Sequence, residues 1–142
     1  MNDAYRITTD RSLMDGAAIH AFLTRSYWSS GIPRSIVERA MANSLCFGLL
    51  HGSVQVGFAR VITDKATFAY LADVYVLEEH RGKGLSKRLM DAVFSHQDLQ
   101  GLRRFMLATR DAHGLYRQFG FSELTHPEHL MAVMRPDIYK SG

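Results

Sequence analysis

The residues with the clearest chemical potential form a basic, glycine-containing turn, which reads HRGKGLSKRLM over positions 80–90. A predicted strand, residues 68–77, precedes this turn, and apolar side chains at helical spacing follow it. Gly82 and Gly84 allow the backbone to turn tightly and to approach a ligand closely. The unpaired N–H groups of the first helical turn then favour negative charge. This combination predicts binding of a phosphate or pyrophosphate group, largely through backbone donors.

Two familiar phosphate-binding loops have a different pattern. The P-loop requires Gly-x-x-x-x-Gly-Lys-Ser/Thr, a spacing that this turn lacks. The dinucleotide fingerprint requires a third glycine where Lys87 stands, and it lies in the first β-α unit of its fold. For the turn taken alone, a surface loop with solvated charges is the alternative interpretation.

The composition fits an ordinary globular protein. The 142 residues suit a single domain spanning positions 1–142, and hydrophobic residues make up 46% of the chain. The net charge of +3 is weak support for nucleic-acid binding, and the basic clusters lack interleaved aromatic residues, so we expect no nucleic-acid partner. Cys46 is the single cysteine, which excludes an intramolecular disulfide and a cysteine-based zinc site.

The sequence shows no targeting or membrane signal. The N-terminus carries no apolar signal region, and no apolar run approaches the roughly 18 residues that span a bilayer. We therefore expect a cytoplasmic protein without a membrane partner. His126 and His129 suggest a metal site by residue type, but Pro127 between them favours a plain turn, so we expect no metal.

Apolar spacing and chain breakers predict the element order β-α-α-β-β-β-α-β-α-β-β. The predicted helices are residues 11–25, 34–43, 85–95 and 112–119. The predicted strands are residues 5–8, 44–50, 54–62, 68–77, 104–109, 121–124 and 130–134. Hairpins come first and a β-α-β crossover comes later, which predicts an α/β fold with a mixed sheet and helices on both faces.

Two motifs resemble those of one superfamily. The arrangement Arg81-x-x-Gly84-x-Ser86 is similar to the Arg/Gln-x-x-Gly-x-Gly/Ala pyrophosphate loop of the GNAT superfamily, the acyl-CoA-dependent N-acetyltransferases. Serine here replaces the usual glycine or alanine. The segment LYRQFGF at 115–121 looks like that family's Leu-Tyr-x-x-x-Gly-Phe helix end. The predicted element order also matches the GNAT fold, so the resemblance covers nearly the whole chain.

The resemblance implies an acetyl-CoA site. The backbone at Val74, Tyr75 and Val76 would lie along the pantetheine arm, with the Val76 N–H close to the thioester oxygen. The residues that would hold the pyrophosphate are Arg81, Gly82, Lys83, Gly84, Leu85, Ser86 and Lys87. Thr109 stands where the family commonly has an asparagine that contacts the cofactor.

The resemblance also implies catalytic roles. Tyr116 corresponds to the tyrosine whose hydroxyl points at the thioester sulfur as a general acid or hydrogen-bond donor. The alternative is a core tyrosine packed between helix and sheet. Asp73 is the one carboxylate on the predicted central strand, and it is equally a candidate general base or a structural acceptor. Tyr70 and His113 are further candidates for the base.

The acceptor site is expected between the first two helices, where GNAT proteins usually shape it. Tyr27 and Trp28 fall in this segment, and Tyr70 lies on the central strand, so these three are candidate substrate-binding residues. The alternative for Tyr27 and Trp28 is that they pack their loop onto the core. Arg60 could meet an acidic acceptor or could be a solvated strand residue.

The sequence thus predicts an acetyl-CoA-dependent N-acetyltransferase that acts by direct transfer in a ternary complex. The acceptor is a small-molecule amine or a protein amine, and a route through Cys46 is disfavoured by its apolar surroundings. Two other classes stay open, namely a non-catalytic acyl-CoA-binding regulatory module and a binder of nucleic acid or an anionic surface that uses residues 81–88. Dimers are common in the family, so a homodimer is compatible with the resemblance.

Overall fold

A computed structural model describes residues 4–140 and contains one five-stranded sheet in the order β1-β2-β3-β4-β5. The strands are β1 (Tyr5–Thr8), β2 (Leu45–His51), β3 (Val54–Thr63), β4 (Phe68–Val76) and β5 (Arg104–Leu107). The helices are α1 (Gly16–Leu23), α2 (Arg34–Ala42), α3 (Leu85–Ser95) and α4 (His113–Arg117). Neighbouring strands are antiparallel except β4 and β5, which are parallel because α3 provides the crossover between them.

The sheet carries helices on both faces, which confirms the predicted mixed α/β architecture. On one face, α1 and α2 bury Ile19, Leu23, Val37 and Met41 against Phe58 and Tyr75 of the sheet. On the other face, α3 buries Leu89, Met90 and Val93 against Phe47, Val61 and Leu71. The period of 3.6 along α3 places these apolar residues on one stripe, which fixes the helix and the turn before it against the sheet.

β4 contains a bulge near its carboxyl end. Phe58 lies opposite Tyr75 and Arg60 lies opposite Ala72, so β4 carries one more residue than β3 between these pairs. Asp73 has a φ of +56° within this bulge, a left-handed conformation that aspartate tolerates better than most residues. A bulge bends its strand and turns side chains in a new direction, so it redirects the last residues of β4.

The first predicted helix is divided in two. A 3₁₀ turn covers Arg11–Leu13, and α1 begins only at Gly16. The Asp10 side chain accepts from the Ser12 N–H, and the Asp15 side chain accepts from the Ala18 N–H, so each segment has its own N-cap. The prediction of one helix over residues 11–25 was wrong because the second cap restarts the helix.

The predicted final strands are not formed. Residues 121–124 and 130–134 are irregular, and a 3₁₀ turn at Pro127–His129 lies between them. Phe121 instead packs its ring against Phe94 and Phe105. Both segments have the composition of strands, but a strand also needs a partner, and sequence pattern does not supply one. Among residues 4–140, no helix is both long and apolar enough to cross a membrane.

Candidate active site

A groove opens where β4 and β5 part. The two strands pair from Phe68 and Arg104 up to Leu71 and Leu107, where β5 ends while β4 continues to Val76. The groove has a volume of about 750 Å³. Its lining includes these predicted site residues: Tyr27, Trp28, Tyr70, Asp73, Val74, Tyr75, Val76, Arg81, Ser86, Thr109 and Tyr116. The fold thus brings together residues that are far apart in sequence.

The Val76 backbone faces this groove. The Leu77 N–H donates to the Val56 carbonyl at 2.8 Å, and Val76 lies opposite Gly57. Because backbone groups along an antiparallel strand alternate in direction, the Val76 N–H and C=O point away from β3. The carbonyl accepts from Arg81 Nε at 2.9 Å. No described residue accepts from the Val76 N–H, which leaves a fixed donor at the groove.

The basic turn has the conformation that its glycines predict. Gly82 and Gly84 have φ values of +79° and +73°, and a Cβ at either position would meet nothing within 4 Å. The glycines are therefore needed for backbone conformation rather than for space. Gly84 is the N-cap of α3 without any side-chain cap, so the N–H groups of residues 85–87 have no acceptor in the described chain. This end of α3 is suited to an anion.

The side chains of the turn divide into two groups. Arg81 and Ser86 reach the groove lining, whereas Gly82, Lys83, Gly84, Leu85 and Lys87 do not. The Leu85 side chain is buried in the core, so it anchors the start of α3 and leaves only its backbone for a ligand. Lys83 and Lys87 are exposed beside the turn, where they add positive charge.

Tyr116 closes the other side of the groove. It is 8% exposed, and burial, together with the nearby Tyr27 hydroxyl and Asp111 carboxylate, raises its pKa to about 12. No described residue hydrogen-bonds to its hydroxyl. The Thr109 hydroxyl accepts from the Ala112 N–H at 3.1 Å, which fixes the turn into α4 and thereby the position of Tyr116. The Tyr116 hydroxyl is therefore protonated at neutral pH and has no hydrogen-bond partner among the described residues.

Asp73 holds a polar network at the bulge. Its Oδ2 accepts from Arg60 Nε at 2.7 Å, and its Oδ1 accepts from Trp28 Nε1 at 2.8 Å. Arg60 also donates to Ser44 Oγ at 3.1 Å. The side chains of Arg60 and Asp73 are only 16% and 10% exposed, so the ion pair is shielded from solvent. Asp73 thus makes the contacts expected of a structural acceptor, and Arg60, which also lines the groove, is held by both Asp73 and Ser44.

Two charged residues of the groove, Arg110 and Asp111, were not predicted as site residues from the sequence. The Arg110 guanidinium carbon lies 3.8 Å from the centre of the Tyr27 ring, a cation–π contact across the groove mouth. Asp111 also lines the groove, and no hydrogen-bond or ion-pair partner is found for it in residues 4–140. Their position directly after Thr109, between β5 and α4, was the available signal, because segments after parallel strands commonly carry sites.

Several other candidates lie outside the groove. His113 lines a separate cavity on the outer side of β5. The Cys46 thiol is buried under α2, and burial raises its pKa to about 11, which makes it a poor nucleophile. His126, Glu128 and His129 lie together on an exposed turn, with their potential ligand atoms within 4.8 Å of one another.

Comparison with known proteins identifies the family. Residues 42–123 match the model of the acetyltransferase (GNAT) domain. The chain belongs to the GNAT family. The match begins at the end of α2 and runs through the bulged β4, the basic turn and α4, so it contains most of the groove described above.

Relatives of this GNAT acetyltransferase include proteins of similar length. A crystal structure of a candidate GNAT-family acetyltransferase from Xanthomonas campestris is 53% identical, covers 98% of this chain and 99% of that chain, and superposes with a TM-score of 0.95. A candidate acetyltransferase of Gibberella zeae is 35% identical over 79% of this chain and 75% of its own length. A Clostridium acetobutylicum structure, described as a candidate acetyltransferase with acetyl-CoA, shares the fold at a TM-score of 0.64 and 14% identity, covering 92% of this chain and 94% of its own.

Proposed function

We propose that this GNAT acetyltransferase transfers an acetyl group from acetyl-CoA to a primary amine by direct attack in a ternary complex. One observation supports the proposal: a single groove is lined by Arg81 and Ser86 at the start of α3, by Val76 with its free N–H, and by Tyr116 with its free hydroxyl. These groups match the pyrophosphate, the carbonyl and the sulfur of an acyl-CoA thioester. The acetyl-CoA found with the Clostridium acetobutylicum relative is consistent with this assignment.

The turn and β4 would bind the donor. The free amides of residues 85–87 and the positive charges around them would hold the pyrophosphate. The pantetheine arm would then extend along the backbone of Val74, Tyr75 and Val76. Tyr75 contributes its backbone alone, because its ring is buried and stacked on Phe22 with 3.9 Å between ring centres.

The chemistry follows from the two free donors. The acceptor nitrogen attacks the thioester carbonyl carbon while the Val76 N–H stabilises the charge that develops on oxygen. The C–S bond breaks as the C–N bond is completed, Tyr116 donates its proton to the departing thiolate, and the phenolate then regains a proton from solvent. A phenol whose pKa is about 12 is fully protonated at neutral pH, so the proton is in place when the sulfur departs.

The acceptor nitrogen must also lose a proton. Two carboxylates line the groove, and Asp73 already accepts from both Trp28 and Arg60, whereas Asp111 has no hydrogen-bond or ion-pair partner in the described chain. Asp73 is the carboxylate that the sequence offers as a candidate base, and Asp111 is the base that the contacts favour. Comparing the pH profiles of kcat/KM for Asp111→Asn and Asp73→Asn assigns the role, because only loss of the base removes the acidic limb.

The acceptor would enter past Tyr27 and Trp28. Trp28 is fixed by its bond to Asp73, and Tyr27 is fixed beneath Arg110. Tyr70 lies deeper in the groove on β4. These rings form an aromatic wall that suits a small amine or the amine of an extended peptide.

Calorimetric titration with acetyl-CoA tests the proposal. Gly84→Glu places a carboxylate at the proposed pyrophosphate site, and Gly101→Glu is its matched control. Gly101 has a φ of +71°, a Cβ added there would meet nothing within 4 Å, and the residue precedes the start of β5, at the end of this strand away from the groove. We expect micromolar binding to the wild type and to Gly101→Glu, and loss of binding in Gly84→Glu.

The outcomes separate the alternatives. Equal binding by Gly84→Glu and Gly101→Glu would contradict the assigned pyrophosphate site. Absence of binding to every form would overturn the proposal and favour an anionic-surface binder, whose affinity would fall steeply with salt. Binding without acetyl transfer to any of a broad panel of amines and N-terminal peptides would favour a non-catalytic acyl-CoA module.

A further inference from the structure

Two charged side chains of the groove have no oppositely charged partner in the protein. Arg60 and Asp73 neutralise each other, with 2.7 Å between Nε and Oδ2. Arg110 and Asp111 line the same groove, and both are exposed to solvent. Within residues 4–140, the side chain of neither residue makes an ion pair or a hydrogen bond. The groove therefore offers one positive and one negative group to a ligand.

Arg110 is held in position although it has no ionic partner. Its guanidinium carbon lies 3.8 Å from the centre of the Tyr27 ring. Tyr27 packs edge-on against Trp28, with 5.1 Å between the ring centres, and Trp28 donates to Asp73 at 2.8 Å. Contact with a ring face leaves the five N–H donors of the guanidinium plane available. Arg110 is thus a positioned donor of the kind that suits a carboxylate.

These charges lie near the proposed acid. After burial, the nearby Tyr27 hydroxyl and Asp111 carboxylate are the groups that raise the pKa of Tyr116. Such an influence weakens with distance, so Tyr27 and Asp111 are close to the Tyr116 hydroxyl. Arg110 lies on Tyr27 and precedes Asp111 in the chain. The two unpaired charges therefore lie where the acceptor would approach the thioester.

The two charges discriminate between classes of amine. A simple amine or a peptide N-terminus brings a positive group for Asp111 but leaves Arg110 without a counter-charge. A free amino acid carries an ammonium group and a carboxylate only a few bonds apart. It therefore matches both charges of the groove in one molecule, and complementarity of this kind determines specificity.

We propose that the acceptor is a free amino acid, whose carboxylate is bound by Arg110 while its amino group faces Asp111. This inference rests on the proposed acetyl transfer and narrows its acceptor. The ammonium group gives one proton to Asp111, and the neutral nitrogen attacks the thioester carbon. The nitrogen releases a second proton to solvent as the amide forms, and Asp111 returns its proton to solvent. The products are an N-acetyl amino acid and the thiol of CoA, and Arg110 determines specificity without touching the reacting atoms.

Paired acceptors test the role of the carboxylate. Initial rates are measured with free amino acids and with their carboxamides, so that each pair shares a side chain and differs in the carboxylate. The rates are compared at equal concentrations of unprotonated amine, because amidation lowers the pKa of the amine. We expect kcat/KM of the wild type to be about 10- to 100-fold higher for the acid than for the amide, the range typical of a charge-assisted hydrogen-bonded pair.

Variants of Arg110 test whether this residue recognises the carboxylate. Arg110→Gln should lower kcat/KM about 10- to 100-fold for the amino acid, through KM, and leave the rate with the amide almost unchanged. Arg110→Lys should keep part of the preference, because it retains the charge but not the planar set of donors. Arg25→Gln is the matched control, since Arg25 lies 5.9 Å from the centre of the Phe22 ring but does not line the groove. No variant should change the Kd for acetyl-CoA.

The outcomes separate this inference from the proposed function. Equal kcat/KM for acids and amides in the wild type, or equal losses for both in Arg110→Gln, would overturn the inference and leave acetyl transfer in place. Faster transfer to peptide N-termini than to every amino acid would overturn it too. A large rise in the Kd for acetyl-CoA in Arg110→Gln would assign Arg110 to the donor instead.

A binding measurement tests the inference without turnover. If no amine is acetylated, the result counts against the proposed function, and the amino acids are titrated calorimetrically into the CoA-saturated protein. Binding of an amino acid that its amide does not share, and that Arg110→Gln weakens about 10- to 100-fold, would support carboxylate recognition. Absence of amino-acid binding would overturn it.

Discussion

A buried tyrosine usually satisfies its hydroxyl, and the free hydroxyl of Tyr116 therefore points to a ligand. Tyr116→Phe removes only this group. We expect kcat to fall about 10²- to 10⁴-fold, the range typical of a lost general acid, with little change in the Kd for acetyl-CoA. The free energy of unfolding near pH 7 should change little, because no protein hydrogen bond is lost. Steady-state kinetics measures the change in kcat and calorimetry the Kd for acetyl-CoA. Denaturant unfolding measures the free energy of unfolding.

Tyr70→Phe is the control for that result. Tyr70 lines the same groove, but the proposed chemistry gives its hydroxyl no part in sulfur protonation. A loss of kcat in Tyr70→Phe as large as in Tyr116→Phe would argue against the assigned acid. A loss of donor affinity in Tyr116→Phe with unchanged kcat would instead make Tyr116 a binding residue.

The raised pKa of Tyr116 also predicts how stability depends on pH. An unfolded tyrosine loses its proton near pH 10, whereas folded Tyr116 keeps its proton to about pH 12. Its contribution is therefore complete below pH 10 and is lost as pH rises toward 12. By pH 11 the part of this contribution that has been lost amounts to about 1 kcal/mol of unfolding free energy. Denaturant unfolding at pH 8 and pH 11 should show a smaller decrease for Tyr116→Phe than for the wild type; equal decreases would contradict the buried environment.

At the scale of the elements, the bulge in β4 depends on Asp73. The carboxylate joins β3 through Arg60 and the α1–α2 loop through Trp28. Asp73→Asn removes the charge and offers an N–H₂ group to one of two donors, so we expect a loss of about 2 kcal/mol in unfolding free energy. Chemical denaturation measures it. Asp91→Asn, which removes an exposed carboxylate from α3, should change stability by less than about 0.5 kcal/mol.

The same substitution should also affect the acceptor side of the groove. Because Asp73 fixes the Trp28 ring, loss of the Asp73 carboxylate should raise KM for the acceptor more than KM for acetyl-CoA. An Asp73→Asn protein with wild-type stability and wild-type kinetics would show that the network is dispensable. Loss of kcat alone, together with the acidic limb of the pH profile, would restore Asp73 as the general base.

A helix, turn or strand could be predicted where the residues that determine it lie close together in the sequence. The turn before α3 was predictable because its glycines and the apolar stripe after them lie within about 15 consecutive residues. The bulge at Asp73 was not, because it depends on register with β3 rather than on the β4 sequence. Residues 130–134 have the composition of a strand, but the pairing partner that would make them a strand is non-local.

The site residues likewise fall into those that short sequence motifs predicted and those that only the fold brings together. Tyr116, Val76 and the turn followed from short motifs, and the structure places them at one groove, although their roles stay predictions. Arg110 and Asp111 were not predicted as site residues, because only the divergence of β4 and β5 brings them to the groove. His113 is close to Tyr116 in sequence but faces the other cavity, because the direction of a side chain on a short helix cannot be read from spacing alone.

The molecule as a whole has two well-buried layers and one incompletely covered side. The cores under α1, α2 and α3 contain most of the fully buried side chains. The β5 edge and residues 130–134 lie beyond these cores, so the described chain leaves strand-pairing groups and apolar area exposed at one end of the sheet. Such an edge is a risk for aggregation unless something pairs with it.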